Sequence, residues 1–420
     1  MNKKFIPLAF AASLIFAACS DDQTDVVNNG PEITFRTSVS RAQNIDKTNL
    51  KEFKVWAFAN EVSSASTPFI DGLVATEDPT DPDVFKFDHN IFWPSDIKTL
   101  NFWAISPAEG LTVTHSSTTM SLENYEPAAT PEEQLDVITA FEQVTRTETS
   151  GTSVGLTFNH ILSQILVSAK AGDGVSESRS VKVKGAWLVN IGTKATASRS
   201  SLSGANENKI DWSDCGSTAV YGSYFETVKT LNQNAAPFFS FNKDNVSSDK
   251  SNLLLIPQQL TQWNGTEAGT GAYILLLCRV EATHTGKLHG TDPDPMVNTI
   301  TENGVDKHVH QMFPHDGAAT SFDPNAYGYA CVPIGTNWET GKIYRYTLDI
   351  CGKNSGAGIY PPVTLPTLPG LPDTPGISII PTPGADKVGK PVLDAPIKFT
   401  VKVNDWTDPE TWNPGDVDLQ

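Results

Sequence analysis

Cysteine, methionine and positive charge are all scarce in this sequence of 420 residues. Five cysteines are too few for a disulfide-stapled scaffold. Four methionines and a charged fraction of 19% argue against a helix bundle or coiled coil. Thirty basic residues stand against 48 acidic ones, a net charge of −18. That balance excludes a non-specific nucleic-acid binder, which needs a basic footprint, and electrostatic docking to anionic lipid. Beyond one short N-terminal run, no apolar stretch approaches the ~18 residues of a spanning helix. Also missing are a Gly-x-Ser-x-Gly elbow, a Gly-rich phosphate loop and a His-Glu-x-x-His pair. Neither an enzyme nor a cofactor is expected.

What is present reads as strands and turns. Hydrophobic residues make up 39%, with 30 Gly and 28 Pro, the composition of short β-strands joined by tight connections. Strand patterns lie at 33–39, 53–58, 84–87, 99–105, 135–140, 155–167, 181–189, 252–256, 273–280, 343–348 and 397–403. Sustained helical periodicity is rare, so the fold is expected to be all-β and built of sandwiches. Residues 361–396 hold ten of the 28 prolines. Such a stretch favours extended chain and sets the last strand apart, either as a surface loop or as an arm reaching a neighbouring subunit.

The N-terminus reads as an address. Lys3 and Lys4 precede an apolar run of twelve residues, Phe5 to Phe16, too short to span a bilayer. Phe16-Ala-Ala-Cys19 resembles a bacterial lipoprotein box, with residues 1–18 as signal peptide and Cys19 as the lipidated mature N-terminus. An ordinary secretory cut near Ala18 is the alternative. Loss of residues 1–18 removes Lys3 and Lys4 and no acid, which takes the charge from −18 to −20. Residues 19–31 form a polar tether, and Ser20-Asp21-Asp22 looks like an acidic surface-export signal.

Candidate chemistry is sparse. His308-Val-His310, with His315, Asp316, His284 and His289, is the densest cluster. A strand would place both rings of His-x-His on one face, but Lys307, Gln311 and Pro314 suggest a polar loop, and no metal site is expected. Asp81-Pro-Asp83 and Asp292-Pro-Asp294 are fragments of a calcium loop without its full ligand set. His160 lies in an apolar strand and is expected to be a packed structural residue. Cys215, Cys278, Cys331 and Cys351 are spaced 63, 53 and 20 residues apart, which is no metal pattern; Cys278 sits in a strand expected to be buried. Trp212, Trp263 and Trp412 have polar surroundings suited to an exposed glycan platform, although most tryptophans of this kind are half-buried.

A series of short motifs then repeats the order of a known family. Ile33-Thr-Phe-Arg is followed by Ser40-Arg41-Ala42, Phe53-Lys-Val-Trp-Ala-Phe58, Phe92-Trp93-Pro94 and Leu100-Asn-Phe-Trp-Ala-Ile-Ser-Pro107. Gln134-Leu-Asp-Val-Ile-Thr-Ala140, Val154–Val167 with its Phe158-Asn-His160, Leu255-Ile-Pro-Gln258 and Trp338–Tyr346 complete it. The ordered series resembles the fimbrillin family of Bacteroidetes, lipoprotein precursors of type V pili, although the Pro-rich segment is longer than the family pattern. The resemblance implies two tandem transthyretin-like β-sandwich domains, 32–155 and 156–420. It also implies a structural pilus subunit on the outer membrane, held there by its lipid and partnered by other pilin subunits and an arginine-specific surface protease. That protease would cut at Arg41–Ala42, directly after strand 33–39, or at the rival Arg36. The groove left behind would accept a strand from the next subunit, with Ile397, Phe399, Val401 and Val403 as the candidate donor. A non-polymerising surface lipoprotein that binds glycan or a host ligand, or a tip or anchor subunit, is the competing expectation.

Overall fold

The described residues of this computed structural model are 30–39, 49–59, 67–146, 153–171, 179–200, 210–239, 252–286, 295–315, 320–352 and 354–406. Cys19, Arg41, Ala42, His289, Asp292, Asp294, Asp316 and Trp412 lie outside them. Among the described residues the chain is all-β, with one 3-10 turn at Pro131–Glu133.

The first unit contains β1 (Thr34–Val39), β2 (Glu52–Ala59), β3 (Ile70–Asp78), β4 (Asp81–Lys86), β5 (Thr99–Ser106), β6 (Val113–His115), β7 (Thr119–Tyr125), β8 (Ile138–Thr145) and β9 (Ser153–His160). Seven of these close a barrel in the order β1-β4-β3-β2-β5-β8-β9. Strand β2 shows why the sequence is so apolar here. Phe53, Val55 and Ala57 point into the barrel, while Trp56 and Phe58 point out into a second cluster with Trp103 and Ile105. Both faces are covered, so simple alternation gives way to a near-continuous apolar run.

The second unit follows with β10 (Ser163–Ala171), β11 (Arg179–Thr193), β12 (Ala195–Ser200), β13 (Ile210–Trp212), β14 (Ser217–Leu231), β15 (Ala236–Phe239) and β16 (Leu253–Leu255). It continues through β17 (Tyr273–Thr285), β18 (Val297–Glu302), β19 (Val305–Phe313), β20 (Ala326–Pro333), β21 (Lys342–Ile350), β22 (Ser378–Ile380) and β23 (Lys398–Asp405). One sheet runs β15-β10-β21-β23 with β16 beside β10. The facing sheet runs β14-β11-β17-β19-β18, with β20 beside β17 and β22 beside β20. Between them lies the largest core, which includes Ile165, Val183, Leu276 and Tyr346. Gly222 (φ +151°) lets β14 lie close on β11, since a Cβ there would sit 2.3 Å from Ala186 O.

Two features depart from the sequence pattern. The continuous strand expected over 155–167 is broken: β9 closes the barrel and β10 opens the second unit. Ile161 and Leu162, both buried, carry the chain across; Ile161 N–H donates to Val137 O and Leu162 O accepts from Gly341 N–H. Of the two readings of the Pro-rich stretch, the surface segment and not the free arm describes its place here. Residues 361–396 form a strap on the outer face of the β11–β17–β20 sheet, where Trp187 Nε1 donates to Pro369 O (2.8 Å) and Tyr224 Oη donates to Pro375 O (2.9 Å). Leu368 is buried and β22 pairs with β20. Proline cannot donate to a ladder, but its carbonyls accept freely, and side-chain donors of the sheet use them.

The units are not separate beads. A further sheet, β13-β12-β7-β6, joins strands from both halves. A seam of Trp56, Trp103, Leu122, Leu162, Ile343 and Trp406 also draws from each.

Candidate functional site

The arrangement with the strongest consequence is the seat of β1. Its inward residues Ile33, Phe35 and Val39 are buried, while Arg36 and Ser38 face solvent, as strand alternation requires. Phe35 meets three rings edge-on: Phe53 at 5.7 Å, Phe87 at 5.4 Å and Phe102 at 5.9 Å. Each such pair contributes roughly 0.5–1.5 kcal/mol beyond area burial.

The pairing of β1 is lopsided. It runs parallel to β9 through six successive positions, from Thr34↔Ser153 to Val39↔Phe158. Toward β4 it has one registered pair, Phe35↔Phe85. In turn, β9 meets β8 only at His160 and Asn159. Over Ser153–Phe158 the backbone of β9 is therefore satisfied mainly by β1. Take β1 away, and that edge loses its partner while the barrel opens over Phe53, Phe85, Phe102 and Phe158. Upstream, Ile33 N–H donates to Ile91 O and Pro31 O accepts from Trp93 N–H, which fixes the start of the strand. Arg36, the rival cleavage position, sits mid-strand in an exposed ion pair with Asp81 at 3.7 Å.

At the other end of the chain, β23 pairs along its length with β21, from Asp349↔Lys398 to Lys342↔Asp405, as an edge strand of its own sheet. Ile397 and Val401 are buried in the large core, Phe399 packs against it, and Val403 is 42% exposed. One residue past the strand, Trp406 stacks on His160 with centroids 4.3 Å apart and planes 8° off parallel. His160 Nδ1 lies 2.9 Å from Asp136 Oδ2, both buried. His160 is thus a packed residue, as expected, but its acid and its ring partner come from 24 residues upstream and from the C-terminal strand. Sequence reading missed both. The Asp136 of Gln134-Leu-Asp-Val was visible in the motif series; its spatial neighbour was not.

Other expectations are corrected. Trp263 is 2% exposed, with Nε1 donating to Thr266 O. Trp212 packs on Tyr125 and donates to Ile161 O. Neither forms an exposed aromatic platform. His308 and His310 lie on β19 and not in a polar loop, and Gln311 is buried in the hydrogen-bond network of Arg279. Cys215, Cys278, Cys331 and Cys351 are free thiols. Burial pushes Cys278 and Cys331 well above the ordinary thiol range and Cys351 up to about 11, so these buried sulfurs are poor nucleophiles.

Comparison with known proteins adds the following. A model of the family described as fimbrillin-like matches residues 40–359. No curated protein matches the sequence. Among solved structures, the chain is similar to a fimbrial protein from Bacteroides vulgatus, at 15% identity over 76% of this chain and 94% of that one, with a TM-score of 0.47. It is also similar to a protein from Bacteroides uniformis assigned to cell adhesion, at 14% identity over 89% and 98%, with a TM-score of 0.38.

Proposed function

The chain belongs to the fimbrillin-like family, and from that membership we propose that it is a structural, non-enzymatic subunit of an adhesive cell-surface fimbria that assembles by exchange of β-strands. The observation that carries this reading is the seat of β1: one strand satisfies most of β9 and caps the aromatic interior of the barrel. Cleavage at Arg41–Ala42, just beyond Val39, would release it without cutting any barrel strand but β1 from the chain. The vacated groove offers an unpaired backbone edge and apolar pockets at alternate positions, the two things β-augmentation requires. A strand from the next subunit then restores the ladder.

Ile397, Phe399, Val401 and Val403 recur at every second residue, the spacing with which Ile33 and Phe35 enter the groove, and β23 is the donor this reading names. Its side chains already serve the second core, so donation requires that its place beside β21 be refilled in the filament. The reading also divides the chain where it changes sheets, at Ile161–Leu162.

Incubation of the purified precursor with an arginine-specific protease tests the exchange. Expected is loss of residues through Arg41 and a ladder of SDS-resistant oligomers, with Arg41→Ala remaining a monomer. Cleavage of the wild type that never yields oligomers would overturn strand exchange and favour a non-polymerising adhesive lipoprotein. Anchorage through Cys19 predicts that a fatty-acid probe labels the wild type in cells and not Cys19→Ser; label retained in the variant would exclude Cys19 as the lipid site.

A further inference from the structure

Among the described residues the open sheets end in edge strands, and all but one of these are guarded against pairing with another chain. Strands β6, β13, β16 and β22 are three residues long. Pro237 interrupts β15, Lys398 and Lys402 lie on β23, and β14 carries Lys229 and two breaks of register against β11. Short length, proline, lysine and irregularity are the devices that keep a sheet edge from recruiting a foreign strand. Strand β18 has none of them. It runs six residues, Val297-Asn-Thr-Ile-Thr-Glu302, pairs without a break with β19 alone, and leaves five of the six exposed. Its one charge, Glu302, stands at the end of the strand, 4.0 Å from Lys307.

The free edge has a defined hydrogen-bonding phase. Asn303 and Gly304, both at positive φ (51° and 78°), form the two-residue turn between β18 and β19. Such a turn closes on a hydrogen-bonded pair, here Glu302↔Val305, and every second pair after it is of the same kind. Gln311 N–H donating to Met296 O, at the far end of the hairpin, lies in that phase. Asn298, Ile300 and Glu302 therefore direct their backbone groups to β19, while Val297, Thr299 and Thr301 turn theirs outward. Side chains add a second feature. Ile300 (41% exposed) and Val305 (53% exposed) lie on one face of the hairpin. Residues 297–313 hold two acids, Glu302 and Asp306, and one base, Lys307, a net of −1 in a chain of −18. Two like-charged copies meet little repulsion at this edge.

We propose that β18 pairs with β18 of a second copy of this chain, antiparallel about a twofold axis, and that this edge joins subunits side by side. The outward phase admits hydrogen-bonded pairs only among Val297, Thr299 and Thr301. Matching Thr299 of each copy with Thr301 of the other satisfies both and sets Ile300 against Ile300 on the axis. That is a non-hydrogen-bonded position, where Cα atoms approach to about 4.5 Å and side chains meet most closely. Glu302 then faces Asn298, so no acid faces an acid. Matching Thr299 with itself would instead leave Ile300 opposite Asn298 and its apolar surface unpaired. The contact uses the same patch on both copies and closes on itself. It is independent of the β1 groove, since it needs neither cleavage nor exchange of a strand. So short a ladder holds two free chains weakly and gains strength where many subunits are presented together.

Sedimentation of the uncleaved, unlipidated full chain over rising concentration tests the pairing with β1 still in place. Expected is a monomer–dimer equilibrium whose dissociation constant rises roughly tenfold or more in Ile300→Lys, which sets like charges opposite each other. Ile300 is exposed, so the change leaves the β18–β19 backbone bonds intact. In a Cys19→Ser, Cys215→Ser background, mild oxidation of Ile300→Cys gives a covalent dimer, because the two sulfurs face each other across the axis. Thr301→Cys gives none, since its two copies are offset along the strands. A wild type that stays monomeric at every concentration overturns the proposal, and it does so without relying on any variant to fold. So does a dimer that Ile300→Lys leaves unchanged, or bridging by Thr301→Cys as ready as by Ile300→Cys.

Discussion

Arg279 has no exposed side-chain surface, and its Nε and Nη1 carry the hydrogen bonds that offset burial, while Nη2 lacks a hydrogen-bond partner among the described residues. Its Nε donates to Glu281 at 2.7 Å, and Nη1 donates to Gln311, to Asp323 O and to Ala326 O. Burial alone would push the Glu281 carboxyl up, but hydrogen bonds from Lys182 and Arg279 outweigh it and hold the group below the usual Glu value of 4.5. Removing one partner of such a pair leaves a buried charge uncompensated, at a cost of about 3 kcal/mol. Glu281→Gln is therefore expected to lose about that much in urea unfolding at pH 7. The sign with pH follows from the depressed carboxyl. The stabilisation is complete above the unfolded Glu range and fades as pH falls through the folded value, so wild type and Glu281→Gln converge at acid pH. A gap between them that stays constant from pH 7 to pH 3 would show that the carboxylate charge is not what stabilises the site.

At the scale of elements, β1 and β23 differ in what each holds together. The first satisfies a neighbour, β9, that has little other pairing. The second has one neighbour, β21, but carries Ile397 and Val401 into the main core and ends on Trp406 stacked over His160. Burying each large apolar side chain contributes about 1.5–3 kcal/mol. Loss of Ile397, Phe399, Val401 and Trp406 together thus rivals the net stability of about 5–15 kcal/mol typical of a folded domain. Deletion of residues 397–420 is expected to abolish the cooperative thermal transition followed by circular dichroism. A deletion product that melts cooperatively and is still cut after Arg41 would mean the subunit can spare β23, and would make it a freely donated strand.

The whole molecule is tied by its seam. Gln134, just after the 3-10 turn, donates to Ala128 O and accepts from Leu254 N–H in β16, linking the barrel's connection to the second unit. The β7–β12 ladder does the same through the backbone. Apolar residues of both units fill the space between, so neither half can unfold without exposing the other. Differential scanning calorimetry is expected to show one transition, with calorimetric and van't Hoff enthalpies in agreement. Two resolved peaks would mean that the seam is too weak to couple the units.

Local alternation was enough to read an all-β chain and most of its central strands, because side-chain direction in a strand depends only on residue parity. It also exposed the ordered motifs and His160 as a packed residue, and it set Cys278 in a buried strand while leaving open whether that sulfur is a thiol or half of a bridge. Strands such as β14 and β18 were harder to see: the first is interrupted by Gly222 and the second turns five of its six residues to solvent, so neither carries a clean apolar face. Position in space was beyond reach of pattern altogether. Nothing in residues 155–167 marks the change of sheet at Ile161–Leu162, because both sides of the break are equally apolar. Nothing in a run of prolines tells a strap from an arm, since what pins it is Trp187 and Tyr224, more than a hundred residues away. The partners of His160 and the free edge of β18 arise from strand order and register, which are long-range properties. The sequence by itself determined which residues must be buried; the tertiary structure alone decided what they are buried against, because contacts between strands distant in the chain leave no periodicity within either one.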